Sequence, residues 1–118
     1  MGQHCEKMVK EWNISRVSQD ELALKSHQNT LAAYENGFYD DLVFEFLGIK
    51  RDKTLRADTS LEKLAKLPSA FDRSEKGTLT AGNSSPLTDG ASAVFLVSEE
   101  SAKEFNVPKL ARFVDAQS

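Results

Sequence analysis

Apolar positions at the start of the chain recur at helical spacing: Cys5, Met8, Val9 and Trp12 fall at i, i+3, i+4 and i+7, with Glu6, Lys7, Lys10 and Glu11 between them. That pattern predicts a short amphipathic helix over Gln3 to Trp12, with Cys5 as a small buried hydrophobe and the charged residues in water. Asn13 ends it. A second, longer helix follows, opened by Ser15 or by Ser18, whose Glu21 three residues on makes a capping box. Leu24, His27, Leu31 and Tyr34 share its inner stripe, and Gly37 supplies a left-handed stop. Phe38 to Leu47 alternates poorly but is rich in strand formers, and reads as a strand or an extended arm. Ser60 caps a short third helix bearing Leu61, Leu64, Ala65 and Leu67, closed by Pro68.

From Ser74 to Gly90 the chain is dense in Ser, Thr, Gly, Asn and Asp, a turn-rich stretch from which a functional loop is drawn. Ala91 to Val97 is apolar on both alternate faces, as a strand buried within a sheet would be. Ser98 then caps a helix over Glu99 to Phe105, and Leu110 to Val114 reads as a final extended segment. One doubly apolar strand with one weak strand before it cannot make a sheet, so the chain reads as part of a larger fold.

Composition narrows the class. With 118 residues there is material for one core. The formal charge of −3 and the dispersed basic residues argue against general nucleic-acid binding. No apolar run reaches the length of a membrane span, and no secretory pattern opens the chain. A single cysteine forms no internal disulfide, which fits a reducing, cytoplasmic setting.

Motifs that carry chemistry are incomplete. Gly77 to Ser84 has P-loop glycine spacing, but Asn83 stands where the phosphate-binding lysine belongs. No Gly-x-Ser-x-Gly elbow accompanies His4 or His27, and His27 reads as a structural histidine. His4, Cys5 and Glu6 are consecutive and diverge on a helix, so no metal site is expected. The acidic pairs Asp40-Asp41 and Glu99-Glu100 likewise diverge and read as solvated surface. Arg56, Lys63 and Lys66 form a modest cationic patch that either meets an anionic ligand or solubilises a helix.

The run Gly77-Thr78-Leu79-Thr80-Ala81-Gly82-Asn83-Ser84-Ser85-Pro86-Leu87-Thr88-Asp89-Gly90-Ala91 strongly resembles the signature of the thiolase family. Met1-Gly2 before Cys5-Glu6, Ile14-Ser15-Arg16 with Gln19-Asp20, Ser26-His27 and Leu67-Pro68-Ser69-Ala70-Phe71 extend the resemblance over essentially the whole chain. Leu55-Arg56-Ala57-Asp58-Thr59-Ser60 is most similar to the degradative 3-ketoacyl-CoA thiolases of fatty-acid β-oxidation.

The resemblance implies an α/β thiolase-like fold fragment: a mainly helical loop domain over 1–87 that binds CoA, then the last strand and helix of the N-terminal half over 88–118. It implies an acyltransferase in which a cysteine attacks a 3-ketoacyl-CoA, acetyl-CoA leaves, and a second CoA takes the acyl group from the cysteine. No nucleophile motif surrounds Cys5, and no Gly-His-Pro or Cys-x-Gly is present, so the catalytic elements are expected before Met1 and after Ser118, leaving this segment inactive alone.

By the same resemblance CoA is a substrate and no cofactor is held permanently. Arg56 and Lys63 would serve its nucleotide end, Ser85 the pantetheine amide, and Phe71, Ala81 and Leu87 the apolar channel. Two positions depart from the family pattern, Cys5 for alanine and Lys63 where biosynthetic relatives often carry serine. The expected partners are acyl-CoA, the remainder of the thiolase chain and further copies in a homo-oligomer, without nucleic acid or a membrane span. The alternative is a non-enzymatic interaction module that pairs the 91–97 strand with another chain.

Overall fold

The computed structural model describes residues 1–106 and 111–117. Four helices occur among them, in the order α1 (Gly2–Glu11), α2 (Arg16–Glu35), α3 (Leu61–Ala65) and α4 (Glu99–Glu104). They belong to two compact units, Met1–Leu87 and Thr88–Ser118.

In the first unit the helix ends follow local chemistry. Asn13 takes φ +53° and Gly37 φ +72°. Behind each, a Schellman pair closes the helix: Ile14 N–H donates to Val9 O at 3.0 Å after α1, and Phe38 N–H to Ala33 O at 2.9 Å after α2. Ser15, not Ser18, caps α2, its hydroxyl accepting from the Ser18 amide at 3.1 Å. Ser60 caps α3 as expected. The C-terminal end of α3 is met from α2: Arg16 Nη2 donates to Leu64 O at 2.7 Å and, just past the helix, to Leu67 O at 3.2 Å. A cation thus sits where the helix dipole is negative.

The buried side of α1 differs from the periodic reading. Val9 is buried, but Cys5, Met8 and Trp12 are exposed, and Glu6 is only 2% exposed. Periodicity counts a carboxylate as polar and therefore outward. It is blind to donors supplied more than 70 residues later, where Glu6 accepts from Thr78 and Leu79.

The two expected strands are absent from the described residues, in which only the isolated bridges Phe46 with Ile49 and Ser69 with Thr80 occur. Phe38 to Leu42 is a series of turns, followed by residues 43–45 without regular structure and the bridged Phe46. It leads into a tight two-residue reversal with Leu47 at φ +49° and Gly48 at φ +78°.

In the second unit the expected core strand 91–97 has no regular structure, and Phe95 is 91% exposed. The reason is one of pairing: a strand's amides and carbonyls need neighbours, and these residues meet none among the described residues. α4 forms as its sequence demands, with the Ser98 hydroxyl accepting from the Ser101 amide and Ala102 buried. Of the expected final segment Leu110 to Val114, Leu110 lies outside the described residues, and 111–114 are exposed without regular structure.

Candidate functional site

One face of α2 carries Gln19, Leu22, Ala23, Ser26, His27 and Thr30, and forms one wall of a cleft of about 340 Å³. Residues Asp52, Thr54 and Leu55 close one side, and Gly82 to Pro86, within the signature run, close the other. The spacing of the α2 residues is helical, but the face is mostly polar, so a search for an apolar stripe passes over it.

Hydrogen bonds fix the rim. His27 Nδ1 accepts from the Arg56 amide at 3.3 Å, a bond that requires the ring proton to sit on Nε2. Asp52 folds the turn before it, its Oδ1 accepting from both the amide and the hydroxyl of Thr54 at 2.7 Å. Those donors, the hydroxyl foremost, hold the Asp52 carboxyl below its ordinary range. The Asp52 amide donates to the Tyr34 hydroxyl at 3.1 Å, and the Arg51 guanidinium lies 4.4 Å from the Tyr34 ring centroid.

The signature residues divide into a buried half and a cleft half. Thr80 is fully buried, and Leu79 is buried beside it. Its hydroxyl accepts from the Gly82 and Asn83 amides at 3.2 and 3.3 Å. A side chain at Gly77 would place its Cβ 2.0 Å from Asp72 O, and one at Gly82 would meet Leu67 Cδ1 at 2.5 Å. At Gly77 the obstacle is main chain, so the position excludes a Cβ; at Gly82 the obstacles are the ends of the Leu67 and Leu64 side chains, which would have to shift. Gly82 to Pro86 then emerge along the cleft, presenting hydroxyls, main chain and a proline ring. The arrangement suits a slender ligand that carries amides. Cys5, the only cysteine in the chain, is not among the residues lining it.

The six residues expected to bind are only partly gathered. Ser85 lines the cleft, and Arg56 reaches it through its main-chain bond to His27. Lys63 is engaged elsewhere, its Nζ donating to Asp58 O at 2.6 Å and to Asp58 Oδ2 at 2.7 Å, which lowers the Asp58 carboxyl pKa. Phe71 packs on Gly2 and lines a separate depression with Gln3, Glu6, Lys7 and Lys10. Ala81 and Leu87 are exposed outside the cleft, Leu87 at 99%. Gln19, Asp52 and Thr54 line the cleft without any motif that marks them in the sequence, and His27, structural by its hydrogen bond, lines it as well. Among the described residues no cluster of His, Cys, Asp and Glu suits a metal ion.

The family model of the thiolase N-terminal domain matches residues 1–100. The chain belongs to the thiolase family. It is 43% identical over 116 residues to the 3-ketoacyl-CoA thiolase of Yersinia enterocolitica, a match covering 93% of this chain and 26% of that protein. It therefore spans about a quarter of the length of the curated thiolases it matches.

Two solved thiolase-family structures place the fold. The Bacillus anthracis acetyl-CoA acetyltransferase superposes with a TM-score of 0.76 at 40% identity, covering 92% of this chain and 29% of that one. Human mitochondrial 3-ketoacyl-CoA thiolase in complex with CoA gives 0.75 at 37% identity, covering 90% and 27%. The family is one of acyltransferases, and the thiolase resemblance drawn from the signature run agrees with all three comparisons.

Proposed function

We propose that the chain is the CoA-binding lid segment of a degradative 3-ketoacyl-CoA thiolase, acting in thiolytic cleavage during fatty-acid β-oxidation in the cytoplasm. The observation that carries the reading is the cleft between α2 and the Gly82–Pro86 stretch, where the thiolase signature brings hydroxyls and main chain to the cleft surface. CoA pairs an anionic nucleotide with a thin, amide-bearing arm. The arm is suited to Ser85 and the bare main chain beside it, and the phosphates to Arg56 and Lys63. For Lys63 to serve, its ammonium exchanges Asp58 for phosphate. Phe71, Ala81 and Leu87 contribute apolar contacts when the remainder of a thiolase chain closes over them.

The segment supplies binding, and the thiol chemistry comes from the rest of the enzyme, which assembles as a homo-oligomer. Calorimetric titration of CoA into the chain and into Arg56→Ala and Ser85→Ala variants tests the contacts. Binding by the parent weakens as salt rises, and each substitution lowers affinity several-fold. Three indistinguishable, salt-insensitive titrations would overturn the reading.

A second reading has its own observation. Val94, Phe95 and Leu96 are each more than 80% exposed, a run of apolar main chain open to strand pairing. As an interaction module the chain would self-associate through 91–97. Sedimentation showing a strict monomer across concentration would refute it.

A further inference from the structure

We infer that Glu6 is a positioning residue for the ligand-facing wall of the cleft, acting through the 78–83 segment. The part of this inference that concerns CoA rests on the function proposed above.

Glu6 lies outside the cleft and is almost completely buried. Its Oε1 accepts from the Thr78 amide at 2.9 Å and from the Leu79 amide at 2.8 Å, and its Oε2 accepts from the Thr78 hydroxyl at 3.1 Å. A buried carboxylate persists only when its acceptors are filled, and here the donors are two main-chain amides and one hydroxyl of the signature run. The same Thr78 hydroxyl accepts from Gln19 Nε2 at 3.2 Å, and Gln19 lines the cleft. A continuous line of hydrogen bonds thus runs from α1 through Thr78 to the α2 wall.

A second carboxylate grips the far end of the segment. Asp20, also buried, accepts from Asn83 Nδ2 at 2.9 Å and from Arg16 Nε at 2.8 Å. Asn83 in turn accepts from the Thr80 amide at 2.7 Å and donates to Thr78 O at 3.1 Å. Between Glu6 and Asp20 the main chain is fixed in direction at Thr78, Leu79 and Thr80. The next residues, Ser84 to Pro86, form the cleft wall. Hydrophobic packing alone would bury this loop without setting its direction. Two carboxylates from two helices set both.

Residue-resolved amide exchange on the full chain, with CoA titration beside it, tests the inference in Glu6→Ala and Glu6→Gln. Glu6→Ala speeds exchange at Thr78 and Leu79 by about 10- to 100-fold and carries faster exchange to Ser84 and Ser85. It weakens CoA binding about tenfold. Glu6→Gln keeps an oxygen for the two amides, restores their protection and brings CoA affinity within about threefold of the parent.

Lys63→Ala, removing a proposed contact, lowers affinity while leaving exchange unchanged, which separates contact from positioning. Unaltered Ser84 and Ser85 exchange in Glu6→Ala, or unaltered CoA affinity there alongside a weakened Ser85→Ala, would overturn the inference. A parent chain that binds no CoA defeats the proposed function, and the exchange at Ser84 and Ser85 then decides the positioning alone. Where Glu6→Ala fails to fold, the near-isosteric Thr78→Val removes the hydroxyl's bonds to Glu6 Oε2 and to Gln19 while keeping the two amide bonds to Glu6 Oε1. It is expected to cost three- to tenfold in CoA affinity and to speed exchange at Ser84. Unchanged values of both overturn the inference.

Discussion

Replacing Gly77 by alanine tests whether the signature glycine is there for contact. An ideal Cβ on Gly77 would lie 2.0 Å from Asp72 O and 2.7 Å from both Cβ and Oγ of Ser69, where ordinary contact begins at 3.4 Å. The nearest obstacle is main chain, which cannot rotate away as a side-chain end can, so the turn must open by more than 1 Å. Opening it strains two hydrogen bonds, Gly77 N–H to Ser74 O at 3.1 Å and Ser69 Oγ to Gly77 O at 2.9 Å.

Each such bond is worth about 1 kcal/mol net, and overpacking adds about 1–3 kcal/mol. The reduced freedom of an alanine-containing unfolded chain returns about 0.4–1 kcal/mol. The expected loss is therefore about 2–5 kcal/mol, read as a lower urea midpoint at unchanged slope by circular dichroism at the helical band. Gly90→Ala is the control, since nothing lies within 4 Å of its added Cβ. It should stay within about 0.5 kcal/mol of the parent. A Gly77→Ala variant as stable as the Gly90→Ala control would refute the contact argument.

Three other outcomes are expected. Ser15→Ala removes the α2 cap and should cost about 1 kcal/mol in urea unfolding, whereas Ser18→Ala should cost less than half of that. Cys5, exposed on α1, should react with a soluble disulfide reagent without denaturant, and Cys5→Ser should leave the urea midpoint unchanged. The Lys10 ammonium, with the hydroxyl and amide of Ser74, holds the Asp72 carboxyl well below the ordinary 3.8, while Asp72 raises Lys10 above 10.5. The contribution of Asp72 is thus present above its unfolded pKa and lost as pH falls through the lower folded one. That of Lys10 is complete below its unfolded pKa and lost as pH rises through the higher folded one. The pair is partly exposed, so salt should weaken it. An Asp72 carboxyl resonance that titrates at the ordinary value, or that is unmoved by Lys10→Ala, would contradict the pairing.

Local chemistry made much of the first unit legible in advance. Ser60 and Ser98 cap because a short hydroxyl satisfies amides three residues away, and Asn13 and Gly37 stop helices because they tolerate positive φ. The family was legible too, because its signature is a contiguous motif read directly along the chain. What sequence spacing missed is long-range. The cleft face of α2 is polar, so no apolar period marks it, and Lys63 is paired with Asp58 in a way charge counting cannot reveal.

Short-range chemistry therefore specifies the helices, most of their ends and the family, since each depends on neighbours within a turn or on a contiguous motif; the choice of Ser15 over Ser18 at the start of α2 belongs to the structure. Tertiary structure alone decided which side of α1 is buried and how Thr78 to Asn83 are held, because Glu6 and Asp20 meet partners more than 60 residues away. It also decided that 91–97 is not a strand here, because pairing is a property of two segments and these residues meet no second one among the described residues.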